Sequence, residues 1–334
     1  MEDSEGSRRL INQPQRIHRP GKTLGCASGA PQGRPVFYFH GSPGARYEPL
    51  FGDRAGKDHG YRIIALDRPG LGRSDYVAAR RLLDWPQDVQ AVARQLGVKQ
   101  FGVIGASGGG AYALACSYAI PEQLEFSAVM GSWGPVAAEP KLWEEMAPLD
   151  RFFGKLSKRA SWAFYIPFSF LGYAAKHLSP QGFMKFLESS MSASDKQLAV
   201  DQEMAQFYAD DIAEGFRQGV RGPADDAIIL YGDWGFNLAK IRSKVYLFHG
   251  EEDRFAPYSY ALYFNEKIPQ TALHGYPGEG HLFIVRLFNE VFKQVSHQPH
   301  YQSQKFNGLN GGLNRWFDPL ETFVSNSTIL HSII

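Results

Sequence analysis

Gly105-Ala106-Ser107-Gly108-Gly109 follows directly on the apolar run Phe101-Gly102-Val103-Ile104 and leads into Gly110-Ala111-Tyr112-Ala113-Leu114-Ala115-Cys116. The conformation of this stretch decides the fold. A serine between glycines is either the tip of a reactive turn or a residue in a flexible loop, and a G-x-S-x-G pentapeptide alone separates the two weakly. Context favours the turn. The run before it is a strand candidate, and the small residues after it can form a helix packed tightly against a sheet. Glycines at 105 and 109 remove side chains where a strand-turn-helix corner is most crowded, and the strain of such a turn lifts the Ser107 hydroxyl clear of the sheet. A helix beginning at Gly108 also points free N–H groups at any negative charge that forms there.

Outward from this corner, short apolar runs alternate with amphipathic segments, the pattern of parallel strands covered on both faces by helices. The strand candidates are PVFYF, YRIIAL, FGVIG, FSAVM, KVYLF and TALHGY. Between the second and third, Asp84 to Val98 carries Val89, Val92, Ala93 and Leu96 on one face and Gly97 as a C-cap, which predicts a crossover helix. The alternation stops after Met130 and resumes near Lys244. The intervening residues show helical signals only, with Ser179-Pro180 as an N-cap and Ser194 with Gln197 as a capping box. The expected organisation is a polar N-terminal extension over 1–20, a core over 21–133, an inserted helical lid over 134–239, the rest of the core over 240–295, and a flexible C-terminal tail over 296–334.

A serine hydroxyl is a poor nucleophile until a base takes its proton, so a histidine is required, with an acid to fix its tautomer. Two later stretches supply them in chain order. HGEEDRFAP follows KVYLF and presents Asp253; PGEGH follows TALHGY and presents His281, and their separation of 28 positions leaves room for one helix and one strand. His249 and His274 lie in or at the ends of strands and read as structural. For an oxyanion, FHGSPG follows PVFYF. Pro43 has no N–H, so the expected donors are the backbone N–H groups of Ser42 and Gly108.

Composition sets the remaining bounds. With 334 residues, 44% of them hydrophobic, the chain can bury a large core. Its 35 Lys+Arg balance 34 Asp+Glu, so no summed field draws it to nucleic acid or anionic lipid, and a small, uncharged or apolar substrate suits it better. Cys26 and Cys116 are far apart and outside metal-ligand spacing, which reads as two ordinary thiols and no metal site. The N-terminus has no apolar stretch of the signal-peptide kind, so a cytoplasmic location is expected. The most apolar stretch, Trp162 to Ala175, is shorter than the ~20 residues a membrane span needs and contains Pro167; it is expected to be buried or to line something apolar.

These motifs together resemble the α/β-hydrolase superfamily: His40-Gly41 for the oxyanion turn, DRPGLGRSD from Asp67 to Asp75, the elbow at Ser107, HGEEDRFAP and GEGH. The resemblance covers about Arg34 to Gln294, with the helical insertion where that superfamily carries its lid. It implies an α/β-hydrolase fold, a mostly parallel central sheet flanked by helices. Ser107 is then nucleophile, His281 general base and then acid, Asp253 the orienting acid, and Ser42 and Gly108 the oxyanion donors, with no metal or organic cofactor. Asp67 to Asp75 is carried over as a structural loop. The serine disfavours the epoxide-hydrolase and haloalkane-dehalogenase branches, which use aspartate. HGSPG is similar to the HGGPG of proline iminopeptidases, although GASGG lacks the tryptophan of their GGSWG elbow. The expected activity is a carboxylesterase-like serine hydrolase acting on a small or medium, largely apolar ester. Its alternatives are an iminopeptidase-like peptidase, a carbon-carbon bond hydrolase or perhydrolase, and a non-catalytic ligand-binding protein on the same fold. Trp133, Phe164, Phe168 and Tyr173 are the candidates for an apolar substrate pocket.

Overall fold

A computed structural model describes residues 25–296. The expected N-terminal extension and all of the expected tail beyond Ser296 lie outside these residues.

Strands β1 (Gly25–Gly29), β2 (Arg34–Phe39), β3 (Tyr61–Leu66), β4 (Phe101–Ala106), β5 (Leu124–Met130), β6 (Val245–Gly250) and β7 (Thr271–Tyr276) form one sheet in the order β1-β3-β2-β4-β5-β6-β7. Only β1 is antiparallel, pairing with β3. The six apolar runs in the sequence are β2 to β7, each within a few residues of its expected limits. β1 has no counterpart among them, because GCASG offers small side chains and no apolar run.

Each central strand feeds two cores by alternation. In β2, Phe37 and Phe39 join the cluster under α2 (Trp85–Gln95), α3 (Gly108–Ala119) and α11 (Ser259–Lys267). Val36 and Tyr38 point the other way, toward α1 (Asp53–His59) and α12 (Phe288–Ser296), where Phe288, Val291, Phe292 and Val295 complete the second core. In α2, Val89 and Ala93 are buried, and Gly97 takes φ +67 just past its end, as the pattern there predicts. The final helix is shorter than LFIVRLFNEVFKQV suggests: Leu282–Arg286 is a 3-10 turn, and α12 begins only at Phe288.

Between β5 and β6 the described chain forms seven α-helices and no strand: α4 (Pro140–Glu145), α5 (Pro148–Arg159), α6 (Ser161–His177), α7 (Pro180–Leu187), α8 (Ala193–Ala199), α9 (Gln202–Gly215) and α10 (Arg221–Tyr231). Ser179 caps α7 by accepting from Gly182 N–H at 3.1 Å. The capping box expected at Ser194 and Gln197 is formed two residues earlier. Ser192, in extended conformation, accepts from Asp195 N–H, and Asp195 accepts from Ser192 N–H. The apolar stretch from Trp162 to Ala175 forms most of α6, and its burial is one-sided: Phe164 and Gly172 face inward while Trp162 and Phe170 face solvent. No described helix is long and apolar enough to cross a membrane.

Candidate active site

The carboxyl ends of β2, β4, β6 and β7 bring the candidate residues to one edge of the sheet, the usual place for a ligand site in an open parallel sheet. At the end of β4, Ser107 has φ +52 and ψ −124. This is a sparsely populated conformation for a residue with a side chain, and such strain persists only where surrounding bonds fix it. Ser107 N–H donates to Met130 O at 2.8 Å, and Trp133 N–H donates to Ser107 O at 3.3 Å. Neighbouring backbone explains the two outer glycines. A β-carbon on Gly109 would sit 2.0 Å from Phe39 O, and one on Gly105 would sit 2.3 Å from Gly109 O.

Asp253 and His281 meet across the β6–β7 edge, His281 Nδ1 lying 2.6 Å from Asp253 Oδ2 with both residues buried. The N–H groups of Phe255 and Ala256 donate to the other oxygen, Oδ1. Burial works against the Asp253 carboxylate, yet the His281 and His249 charges and hydrogen bonds outweigh it and bring its pKa down to about 2. For His281, burial opposes protonation, and the adjacent Asp253 carboxylate, helped by Asp195 and Glu48, more than offsets this, so its pKa is raised above the ordinary imidazole value. A β-carbon on Gly131 would lie 3.4 Å from both Asp253 Oδ2 and His281 Nδ1, so the Met130–Trp133 turn touches the pair as well as Ser107. His249 is buried, with Nε2 2.7 Å from Ala256 O; the His274 ring stacks on Phe248 at 4.9 Å.

Ser42 and Gly108 are also adjacent. A β-carbon on Gly108 would meet Ser42 Cβ at 2.7 Å and Ser42 N at 3.3 Å, and neither N–H donates to another described residue. Behind them lies a charged network that the sequence did not disclose. Arg68 is buried and bidentate on Asp226 of α10, both bonds 2.7 Å, and it donates to His40 O at 2.5 Å and Gly41 O at 2.9 Å. Asp226 also accepts from Ser42 Oγ and Tyr112 Oη, each at 2.7 Å, and despite burial the Arg68 charge holds its pKa low. Asp67 accepts from Arg46 Nη1 at 2.7 Å. The structural role expected of the Asp67 to Asp75 loop therefore includes holding the His40–Ser42 turn.

Two further aspartates of the insertion reach the same region. Asp211 of α9 accepts from Ala45 N–H at 2.9 Å and Tyr47 N–H at 3.2 Å. Asp195 of α8 accepts from Leu282 N–H at 2.7 Å, immediately after His281. Glu48 is a carboxyl that motif spacing gave no reason to choose. It accepts from Gly41 N–H at 2.8 Å and Tyr38 Oη at 2.9 Å, and desolvation raises its pKa to about 7 against those two bonds.

The four aromatic pocket candidates separate. Trp133 is half-buried beside Ser107, with its ring edge-on to Tyr231 at 5.4 Å and Tyr260 at 5.8 Å. Phe164 is fully buried, and Phe168 bridges it to Phe216 inside the helical layer. Tyr173 lies on the outer face of α6 against His177, because it falls on the same helical stripe as Phe170. Both cysteines are buried and free, and burial pushes the Cys26 thiol up to about 12.

Known proteins resemble this chain in sequence and in fold. A proline iminopeptidase of Neisseria gonorrhoeae is 35% identical over 101 residues, a match spanning 29% of this chain and 32% of that enzyme. A 2-hydroxy-6-oxo-6-phenylhexa-2,4-dienoate hydrolase of Comamonas testosteroni is 26% identical over 75% of this chain and 82% of its own. Among solved structures, an esterase from Exiguobacterium antarcticum superposes with a TM-score of 0.60 at 19% identity, covering 83% of this chain and 98% of that one. A family model described as 2OG-Fe dioxygenase matches residues 281–334, less than a fifth of the chain and mostly outside the described residues. The model described as alpha/beta hydrolase fold matches residues 34–285. With that match over most of its length and a seven-stranded, mostly parallel sheet flanked by helices, the chain belongs to the α/β-hydrolase fold family.

Proposed function

We propose that this protein is a serine hydrolase that cleaves small or medium, largely apolar esters through an acyl-enzyme on Ser107. The observation that carries this reading is a serine held at φ +52 on an elbow beside a buried carboxylate–imidazole pair 2.6 Å apart. Ser107 Oγ attacks the ester carbonyl as His281 Nε2 takes its proton. Asp253 accepts from Nδ1–H, fixes the tautomer and stabilises the imidazolium. The N–H groups of Ser42 and Gly108 hold the oxyanion, and each donor of this kind is worth about 10²–10³ in kcat. Collapse of the tetrahedral intermediate expels the alcohol, which takes the proton from His281. Water, deprotonated by the same imidazole, then releases the acid. Trp133 forms an apolar wall beside the serine, and the helices from α4 to α10 act as the lid.

p-Nitrophenyl esters of increasing acyl length test this reading. Hydrolysis with a length optimum is expected, together with a loss of at least about 10³-fold in Ser107→Ala. A wild type no faster than the variant would refute it. The iminopeptidase match favours a second reading, aminopeptidase activity, and proline p-nitroanilide discriminates: faster turnover of that amide than of any ester would replace the esterase reading.

A further inference from the structure

We propose that the outer face of α6 docks this protein onto an anionic lipid surface. Trp162, Ile166, Phe170 and Tyr173 are 73%, 52%, 66% and 63% exposed. Their spacing of four, four and three residues sets them on one stripe of the helix, about 16 Å long at ~1.5 Å rise per residue. The opposite stripe is buried within the insertion, where Phe164 meets Tyr231 and Gly172 closes against Phe216. Eight of the ten most exposed large apolar side chains among the described residues fall between Leu149 and Phe186. An apolar concentration of this kind on a protein surface marks an interaction site.

Charge selects the occupant. The whole chain has a net charge of +1, yet α5 to α7, Pro148–Leu187, contain six Lys and Arg against the single acid Asp150. Near-neutrality of the chain thus conceals a strongly basic segment, which the summed charge alone does not disclose. Asp150 is itself turned toward Tyr231 Oη, and burial raises its pKa to about 6. Lys155, Arg159 and Lys185 are exposed. An apolar stripe on one helix, with exposed lysines and arginines on the helices before and after it in the chain, matches the headgroup layer of an anionic membrane, where the rings enter the acyl boundary and the cations meet phosphate. A second copy of the same surface would instead bring two basic segments together.

Docking does not depend on the chemistry at Ser107. The inner side of α6 is joined to the serine by close-packed side chains. Phe164 on the inner stripe contacts Tyr231, Tyr231 contacts Trp133, and Trp133 N–H bonds Ser107 O.

Co-sedimentation of the full chain with vesicles tests the proposal without any turnover. Phosphatidylcholine vesicles containing roughly one third phosphatidylglycerol should carry the protein down, and phosphatidylcholine alone should not. High salt should release it. Trp162→Glu with Phe170→Glu should lower the bound fraction at least about tenfold with an unchanged melting temperature, because both side chains are exposed. Should that variant fold poorly, Lys155→Ala, Arg159→Ala and Lys185→Ala combined leave the stripe intact and should weaken binding by about fivefold per charge. Three results would each overturn the proposal: wild type remaining in the supernatant with anionic vesicles, binding unaffected by the charge variant, or a dimer seen by light scattering that the stripe variant abolishes in a protein with no affinity for vesicles.

Discussion

Asp253 and His281 are 28 residues apart in sequence and 2.6 Å apart in space, and the sequence made both legible because each follows an apolar strand at the same sheet edge. Glu48 could not be found that way. Its relevance comes from a backbone turn that aims it at Gly41 N–H, and its electrostatic effect reaches His281. This yields two expectations. Asp253→Asn should reduce esterase kcat by about 10³–10⁴-fold by imposing the wrong tautomer; a loss within a factor of two would point to a different acid. The pH profile supplies the other. His281 must be neutral to act, and its raised pKa places the rising limb of kcat/KM above the ordinary imidazole value. Glu48, with a pKa of about 7, becomes negative over the same range and favours the imidazolium. Glu48→Gln removes that charge and should shift the limb to lower pH. An unmoved limb would show that Glu48 does not act on the titrating group.

At the scale of elements, the helical insertion is fastened to the sheet edge by three buried aspartates, one each from α8, α9 and α10. Sequence patterns gave the helices but not these fastenings, because each partner is distant: Asp226 and Arg68 are 158 residues apart, and Asp195 and Leu282 are 87 apart. The capping box misplaced at Ser194 is one consequence, since the S-x-x-D beginning at Ser192 uses the same Asp195 that holds the His281 loop. Asp226→Ala leaves Arg68 buried without its carboxylate and should cost about 3–5 kcal/mol in denaturant unfolding. Ser42→Ala deletes only one hydroxyl bond to Asp226 and keeps the Ser42 N–H, so about 1 kcal/mol is expected, with little change in kcat. Equal losses from the two substitutions would mean that the Arg68 pair contributes nothing beyond the hydroxyl bond.

Across the whole molecule, the order of strands and helices was legible because six apolar runs alternate with amphipathic segments, and a parallel sheet buried on both faces leaves that signature. β1 escaped it by being an edge strand of small residues, and the exposed stripe of α6 escaped it because hydropathy alone does not say which side of a helix faces the core. The central claim is that the strained serine at the end of β4 is the nucleophile of a hydrolase. A fluorophosphonate probe, followed by mass analysis of the labelled peptide, tests it most directly, since the probe reacts with an activated serine and needs no knowledge of the natural substrate. The account predicts one adduct on Ser107 in the wild type and none in Ser107→Ala. An adduct at another serine, or equal labelling of the two proteins, would contradict it.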